Sequence, residues 1–518
     1  MIEKTSAEQI GNASVADSEQ REWRSPMAHE ISRRLRAGRA RAALAAPSLE
    51  PVRPSSDESW RPLLDGDLAE QARSTVLDIA EALRGATEPW PWDPCGLALL
   101  FGYLALAEPG PAWSSISRDL LDRAVAHTVA RASLHGGFVG IAWAVEHLEG
   151  RSAGATDDPN ESLDALLRKF LRMTPWPGDF DLIAGLAGLG IYGLERARRP
   201  IGREILSLVI DRLAEEAEAR EGGLTWLSKP ALMIPKTRAE HPLGYYNCGV
   251  AHGVPAVALV LAGACRAQVN AKRARPMLGG AMHWLLSSRL DATSPSAFPY
   301  FVSPDGVRDA SARSAWCYGD PGVAAAMLAI ARAVGEGTWE REALAVARRA
   351  SARPMDDCGV MDAGICHGAA GLALLYNRMW QASGDEALRG AAIRWYARTL
   401  ELRRTGVGVA GYQAYHPEPG CDSPWEDDVT FLTGAAGIAL SLLAAISTVE
   451  PAWDVLLAAS LPSAHRGQRP VENRSPWDAR PACRSSRRRL SRRRGAPGAS
   501  RARAAIARTR IRSQNWLY

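Results

Sequence analysis

Two widely separated segments carry side chains that bind soft metal ions. The first is Trp-Cys-Tyr-Gly-Asp-Pro-Gly at residues 316–322, and the second is Cys-His-Gly at residues 366–368. Cys317, Cys366 and His367 offer two thiols and one imidazole, a donor set that suits zinc. Three protein ligands leave a coordination position for water or substrate, which is typical of a catalytic site. The alternative is two buried cysteines and a histidine of the core.

The ligand pair requires a particular backbone. Adjacent Cys366 and His367 cannot both point to the same side of a helix, so they need an irregular turn. Glycines at 364 and 368 permit such a turn, because glycine adopts backbone conformations that other residues avoid. If similar turns elsewhere in the chain share one rim, their polar side chains converge with the pair. The side chains in question are Asp181, His252 and Arg313.

One pattern returns seven times: a turn of small residues with glycines, followed by an apolar helix. The copies begin near residues 95, 136, 185, 251, 318, 366 and 433. Between them, amphipathic segments predict second helices, for example at 67–84, 162–171, 201–219 and 338–352. Small residues let helices approach closely, so we expect seven inner and seven outer helices in an all-α, closed α/α toroid. An open helical solenoid that recognises proteins has the same helix pairs and stays an alternative.

The glycines of residues 185–190 could be taken for a nucleotide-binding loop. Their order is GxxGxG rather than GxGxxG, and no β-branched strand precedes them. Related glycine turns recur elsewhere without a nucleotide pattern. We therefore do not expect a nucleotide cofactor.

The amino-acid composition indicates which class of protein this is. The chain has 518 residues and 47% hydrophobic content, enough for a large core. No run of eighteen apolar residues occurs and the first residues are polar, so we expect neither a transmembrane helix nor a signal peptide, and a cytoplasmic location. Eight cysteines in so long a chain are expected to be thiols or ligands rather than a disulfide framework.

Charge is distributed unevenly. The net charge is +5, but residues 461–518 hold sixteen arginines and two acids, so the remaining 460 residues are net −9. The basic excess belongs to this segment, and we expect no nucleic-acid partner for the body. We expect three regions: a polar extension with a short helix at 1–64, the helical domain at 65–460, and a disordered tail at 461–518. The tail could bind an acidic partner or membrane, or be an aberrant C-terminus.

Four motifs resemble those of the LanC family, the lanthionine synthetase C-like cyclases. They lie in the family's order at residues 251–253, 314–322, 366–371 and 431–440. The resemblance extends over residues 65–460 and implies a seven-repeat α/α toroid around one zinc. Its zinc ligands match Cys317, Cys366 and His367. The acid, the histidine and the arginine of the family's site match Asp181, His252 and Arg313.

The resemblance also implies a reaction. Members cyclise a dehydrated precursor peptide, in which a cysteine adds to dehydroalanine or dehydrobutyrine and forms a thioether. The chemistry agrees, since a free thiol has a pKa of about 8.5 and zinc provides thiolate at neutral pH. Because no second large domain is evident, we expect a separate dehydratase as a partner. An exporter, and peripheral attachment to a membrane-associated biosynthetic complex, are further expectations.

Several roles stay open. His252 is a candidate to protonate the enolate or deprotonate the thiol. Asp181 orients an imidazole or only caps a helix, and Arg313 stabilises enolate charge or pairs with a carboxylate. Trp316 and Tyr318 line the peptide groove or pack the loop. Alternative functions are addition of glutathione or another thiol to dehydroamino acids, and a non-catalytic, zinc-stabilised toroid that binds peptide.

Overall fold

The computed structural model describes residues 26–45, 60–84, 94–108, 113–149, 158–417 and 422–461. Short 3₁₀ turns lie at Pro230–Leu232, Met355–Asp357 and Ala452–Leu457. No helix in these ranges is both long and apolar enough to cross a bilayer. The α-helices are α1 (Pro26–Ala45), α2 (Gly66–Arg84), α3 (Pro94–Ala107), α4 (Trp113–Ala126), α5 (Phe138–Leu148), α6 (Glu161–Leu171), α7 (Leu186–Glu195), α8 (Pro200–Glu216), α9 (Pro235–Glu240), α10 (Val254–Arg266), α11 (Ala271–Ser287), α12 (Asp320–Val334), α13 (Gly337–Ser351), α14 (Ala369–Ser383), α15 (Glu386–Glu401) and α16 (Ala435–Ile446).

Seven of these helices form a closed inner ring. Each packs against the next, in the order α3, α5, α7, α10, α12, α14 and α16, and α16 returns to α3. They are buried almost all round; in α10, every residue from Val254 to Cys265 is buried. Closure of the ring distinguishes this fold from an open solenoid and confirms the predicted α/α toroid.

Small residues make the close packing of the ring feasible. A Cβ atom added to Gly190 in α7 would lie 2.4 Å from Val260 Cγ1 in α10, nearer than van der Waals contact allows. A Cβ on Gly371 in α14 would lie 1.8 Å from the Ile365 carbonyl oxygen of the preceding turn. Glycine costs about 1 kcal/mol relative to alanine inside a helix. These close approaches explain why the inner helices contain it.

The outer layer consists of amphipathic helices. Helix α2 packs on α16, while α4, α8, α11, α13 and α15 pack on α3, α7, α10, α12 and α14; α6 lies against α8 and α1. The helices predicted at 67–84, 162–171 and 338–352 are confirmed within one residue at each end. The helix predicted at 201–219 is wrong at its end, because α8 stops at Glu216 and the chain continues as a strand.

Six short strands went unrecognised in the sequence. Four form an antiparallel sheet in the order β1 (Ala217–Arg220), β2 (Gly223–Ser228), β3 (Tyr245–Asn247) and β4 (Phe301–Val302). Strands β5 (Ala414–Tyr415) and β6 (Trp425–Glu426) pair with each other. Two to six residues are too few for a recognisable alternating pattern. Strand β3 leads directly into the turn before α10.

The two ends of the chain stand differently against the expectation: the structure corrects the first and does not describe the second. At the N-terminal end, α1 is a twenty-residue helix rather than a short one, and it buries Ile31 and Leu35 against the body. At the other end, the structure describes the chain to Leu461, with Trp453 fully buried. The predicted disorder of the tail, and the cysteines at 421 and 483, lie outside the described residues.

Candidate functional site

The turns that precede the inner helices lie side by side, joined by backbone hydrogen bonds. Each bond links one repeat to the next, so residues far apart in sequence become neighbours along one rim. The pairs are His135 N to Ile183 O (3.1 Å), Leu182 N to Ala251 O (3.1 Å), Ala251 N to Cys317 O (3.3 Å), Cys317 N to Cys366 O (3.2 Å) and Cys366 N to Leu432 O (2.7 Å).

The rim turns share a common register. A glycine stands directly before the first residue of α5, α7, α10, α12, α14 and α16. Counted back from the helix start, Cys317 and Cys366 both occupy the third position, and His252 and His367 both occupy the second. Equivalent backbone positions therefore carry the thiols and the imidazoles.

Cys317, Cys366 and His367 form a compact buried cluster. One ligand atom from each lies within 4.8 Å of the other two. His367 Nδ1 is buried without a hydrogen-bond partner among the described residues, and Nε2 lies 3.8 Å from Asp362 Oδ2. A metal-bound histidine commonly turns its second nitrogen to a carboxylate in this way. Two sulfurs, an unpartnered imidazole nitrogen and a carboxylate behind it fit zinc.

The two thiols influence each other strongly. The hydrogen bond with Cys366 lowers the pKa of Cys317 well below its usual value, although burial opposes the shift. The same hydrogen bond, with burial, raises the pKa of Cys366 well above its usual value. Two adjacent thiolates repel each other, so a cation is needed to hold both sulfurs ionised. The opposite pKa shifts of Cys317 and Cys366 thus agree with a pair of thiols that binds a metal cation.

Arg313 adds positive charge to this cluster. Its guanidinium donates a hydrogen bond to Cys317 Sγ, with 3.7 Å between the two atoms. Burial opposes the charge of Arg313, but the neighbouring Cys317 and Cys366 outweigh it and raise its pKa. Its backbone N–H donates to the Tyr300 hydroxyl at 3.1 Å. The side chain thus points at a thiol, where a carboxylate was the alternative expectation.

His252 and Asp181 form a hydrogen-bonded pair at the same rim. His252 Nδ1 lies 2.5 Å from Asp181 Oδ2, and Asp181 Oδ1 accepts the Ala184 backbone N–H at 2.8 Å. Burial lowers the pKa of His252, but the Asp181 carboxylate outweighs it, so the net pKa is raised. The imidazole keeps about a quarter of its side-chain surface exposed. Asp181 therefore both orients His252 and caps its own turn.

The two aromatic neighbours of Cys317 behave differently from one another. Trp316 is buried, and its Nε1 donates to the Leu457 carbonyl at 2.6 Å, so it packs the loop. Tyr318 is also buried, but its ring lies 6.3 Å from that of His252, and its hydroxyl accepts a hydrogen bond from Asn247. Tyr318 thus borders the His252–Asp181 pair.

Sequence reasoning missed several polar residues of the rim. Asp179 has its pKa raised to about 6 by burial and by Asp181. The His135 ring donates to the Leu456 carbonyl at 3.1 Å, and burial lowers its pKa to about 4. The His416 ring lies 6.5 Å from that of His367. The shared register could have revealed further members, since Asp179, Asn247, Asp362 and Asp428 stand seven positions before a helix start, as the recognised Arg313 does.

Comparison with known proteins agrees with this architecture. The family model described as lanthionine synthetase C-like protein matches residues 94–458. The nisin biosynthesis protein NisC of Lactococcus lactis subsp. lactis is 25% identical over 287 residues, which are 50% of this chain and 66% of that relative. The match thus spans just under two thirds of the relative's length.

A solved structure named nisin cyclase shares the fold. Its TM-score is 0.58 at 20% sequence identity, and the match covers 76% of this chain and 98% of that chain. At this identity the likeness concerns the fold alone, whereas the family model spans well over half of the sequence. The chain therefore belongs to the lanthionine synthetase C-like family.

Proposed function

We propose that this protein is a zinc-dependent lanthipeptide cyclase that adds peptide cysteine thiols to dehydroalanine or dehydrobutyrine. The observation that carries the proposal is the convergence, on one rim, of the Cys317–Cys366–His367 cluster and the His252–Asp181 pair. A metal-ligand set alone would suit a structural site. A polarised imidazole beside it supplies the proton transfer that the addition requires.

The ligand set has a defined role in this proposal. Cys317, Cys366 and His367 would hold the zinc, and Asp362 would fix the orientation of the His367 ring. Zinc, when bound, would act as a Lewis acid that lowers the pKa of an incoming thiol. Arg313 adds positive charge beside the sulfur of Cys317, which favours the ionised form of the ligand cysteines.

The remaining residues move the proton. In the addition, the peptide sulfur forms a bond to the β-carbon, and the π electrons of the C=C bond move onto the carbonyl oxygen to give an enolate. The proton lost by the thiol has to return at the α-carbon. His252 would transfer this proton, since Asp181 holds the ring by Nδ1 and leaves Nε2 for the transfer. The atoms of thiol and alkene are all retained in the thioether.

The partners follow from the reaction. The substrate in this proposal is a dehydrated precursor peptide, and a dehydratase, proposed to be a separate protein, supplies it because this reaction consumes dehydrated residues. We take residues 65–460 as the catalytic unit, working in the cytoplasm, with an exporter downstream. Addition of glutathione to dehydroamino acids, and peptide binding without turnover, are the competing functions that an assay has to separate.

The test combines metal content with turnover. Purified wild type, Cys317→Ala and the control Cys265→Ala are analysed for zinc and incubated with a dehydrated, cysteine-containing peptide. Free thiols are then counted by alkylation, because cyclisation leaves the mass unchanged. We expect about one zinc per chain and loss of thiols in wild type and control, and neither in Cys317→Ala. Zinc without thiol loss would favour the binding function. In a parallel incubation with glutathione, a peptide that gains the mass of one glutathione would favour the intermolecular reaction.

A further inference from the structure

A cavity of about 330 Å³ adjoins the sixth rim turn. Residues 361–363 form one wall, the end of α15 forms a second, and Trp425 of β6 forms a third. Asp362 belongs both to this cavity and to the candidate metal site, because its Oδ2 lies 3.8 Å from His367 Nε2. Cavities that bind small ligands commonly have volumes of about 300–1,000 Å³. A group bound here would therefore lie one side chain away from the metal ligands.

The walls of this cavity offer apolar surface to a ligand. Tyr412 and Trp425 line it, and so does Met361, which is 48% exposed. The Trp425 ring packs on the ring of Tyr415, with 5.1 Å between the two ring centres, and the backbone N–H of Tyr415 donates to Asp362 Oδ2 at 2.9 Å. The aromatic wall is thus connected through one hydrogen bond to the carboxylate of the sixth turn.

The charged groups that line the cavity are not all compensated. Asp362 is buried, and its two oxygens accept backbone N–H groups at 3.1 and 2.9 Å. Arg398 and Glu401 form an ion pair, with 3.2 Å between Nη1 and Oε2. Arg404 has no carboxylate within ion-pair distance among the residues that the structure describes. The cavity therefore carries one positive charge that no neighbour in the described chain neutralises.

Trp425 orients the side chain of Arg404. The guanidinium carbon lies 5.0 Å from the centre of the tryptophan ring, which is a cation–π arrangement. Stacking uses the face of the guanidinium and leaves the N–H groups along its edge available as donors. This planar set of donors matches the two oxygens of a carboxylate. The cavity thus combines an apolar wall with an oriented cation, which suits a side chain that has an apolar stem and a carboxylate head.

We infer that this cavity is a substrate subsite in which Arg404 binds the carboxylate of an acidic residue of the dehydrated peptide. The inference rests on the proposed cyclase function. The cavity and the metal site share Asp362, and each residue of an extended peptide spans about 3.3–3.6 Å. The acidic residue is therefore expected about two to four positions from the reacting cysteine. The subsite makes and breaks no covalent bond, and it orients the peptide on the rim.

The first test measures binding rather than turnover. Labelled peptides contain one cysteine, alanine in place of the dehydrated residue, and either Glu or Gln about two to four residues from the cysteine on either side. Fluorescence anisotropy gives their affinity for the purified full-length protein and for its Arg404→Gln variant. At one or more spacings we expect wild type to bind the Glu peptide about 3–10-fold more tightly, and Arg404→Gln to bind both equally. Equal affinities in wild type at every spacing, a preference that survives in Arg404→Gln, or no binding by any peptide would overturn the inference.

Matched controls separate the charge of Arg404 from other causes. Arg36→Gln removes an exposed arginine of α1 and is expected to keep the wild-type preference for Glu. At about 1 M salt this preference is expected to shrink, because screening weakens exposed ion pairs. A preference that Arg36→Gln also abolishes, or that salt leaves unchanged, would not come from an ion pair with Arg404 and would overturn the inference. A Leu peptide that binds as tightly as the Glu peptide would assign the cavity to an apolar side chain, with the same consequence.

The binding measurements also distinguish this subsite from the cyclase function. S-Methylglutathione has no free thiol for the metal, so it tests the other source of a carboxylate. If it binds wild type but not Arg404→Gln, while no peptide shows a preference for Glu, the carboxylate belongs to glutathione and the inference is overturned. A preference for Glu that depends on Arg404, in a protein that leaves the thiols of a dehydrated peptide free, would support the subsite and count against the cyclase function alone.

Discussion

The sixth and seventh rim turns, residues 362–368 and 428–434, have the same backbone and different chemistry. In each, the carbonyl of an aspartate, Asp362 or Asp428, accepts from the first residue of the following helix at 3.0 or 2.9 Å. In each, the same aspartate accepts a backbone N–H two residues on through Oδ1. The turns are thus built by one set of hydrogen bonds that does not depend on the residues before the glycine.

The two turns differ at five of seven positions, and the chemical difference lies at two of these. The sixth turn carries Cys366 and His367 where the seventh carries Leu432 and Thr433. Thr433 Oγ1 donates to Asp428 Oδ2 at 2.5 Å, which satisfies the hydroxyl within the turn. His367 Nδ1, in contrast, has no partner among the described residues. The Thr433 side chain is hydrogen-bonded within its own turn, which suits a structural role. The unpartnered nitrogen of His367 can coordinate a metal ion.

Removing the thiol of the sixth turn should have the largest effect. For Cys366→Ala we expect loss of zinc and a fall in cyclisation rate of at least about 10³-fold, because a catalytic metal contributes several kcal/mol. Zinc analysis and thiol alkylation measure both. Cys265→Ala removes a buried thiol of α10 and should change neither. Normal activity in Cys366→Ala would show that the sixth turn holds no catalytic metal.

The fourth turn extends the comparison, because His252 occupies the place of His367 but is hydrogen-bonded to Asp181. We expect His252→Gln to lose about 10²–10⁴-fold in kcat while zinc stays bound, as for a proton-transfer residue. Single-turnover cyclisation and zinc analysis provide the measurements. Loss of zinc together with activity would instead place His252 among the ligands.

Asp181 influences the pH range over which the His252 imidazole titrates. Its carboxylate favours the charged form of His252 and outweighs burial, so the pKa is raised. Asp181→Asn removes this effect and leaves burial to lower the pKa. We therefore expect the limb of the pH profile of kcat/KM that belongs to His252 to move to lower pH. A limb that stays in place would assign it to another group.

The two aspartates of the compared turns should differ in their effect on zinc. Asp362→Asn replaces the carboxylate beside His367 Nε2 by a neutral amide. We expect zinc affinity to fall by about 10–100-fold. Asp428→Asn makes the same change in the seventh turn and should leave zinc affinity unaltered. Competition with a chromophoric chelator measures both variants. Equal losses would mean that either change disturbs the rim as a whole.

The smallest effect is expected for Thr433→Val, which removes a side-chain hydrogen bond within the seventh turn. We expect a loss of about 1 kcal/mol in the free energy of unfolding, since Asp428 loses a donor while keeping its backbone partners. Urea unfolding followed by circular dichroism measures it. Cyclisation by the folded variant should match wild type, and a large kinetic loss would give Thr433 a part in the reaction.

Sequence patterns predicted the ring because each repeat can be recognised within a short segment, by a glycine turn followed by an apolar helix. They also singled out Cys317, Cys366 and His367, since few structural needs place a thiol beside an imidazole. The short strands were missed because two to six residues carry no recognisable alternating pattern, and because β2 and β3 pair across a gap from Ser228 to Tyr245. Asn247 and Asp362 were missed for a related reason, as their importance lies in contacts rather than in residue type.

The last described turn of the chain sets the order in which the site can be completed. The rings of His135 and Trp316, from the second and fifth rim turns, donate hydrogen bonds to the carbonyls of Leu456 and Leu457. During synthesis, these two side chains leave the ribosome long before their acceptors exist. Those two hydrogen bonds of the rim can therefore form only after every inner helix has been synthesised. A nascent chain that has not reached residue 457 lacks both of them.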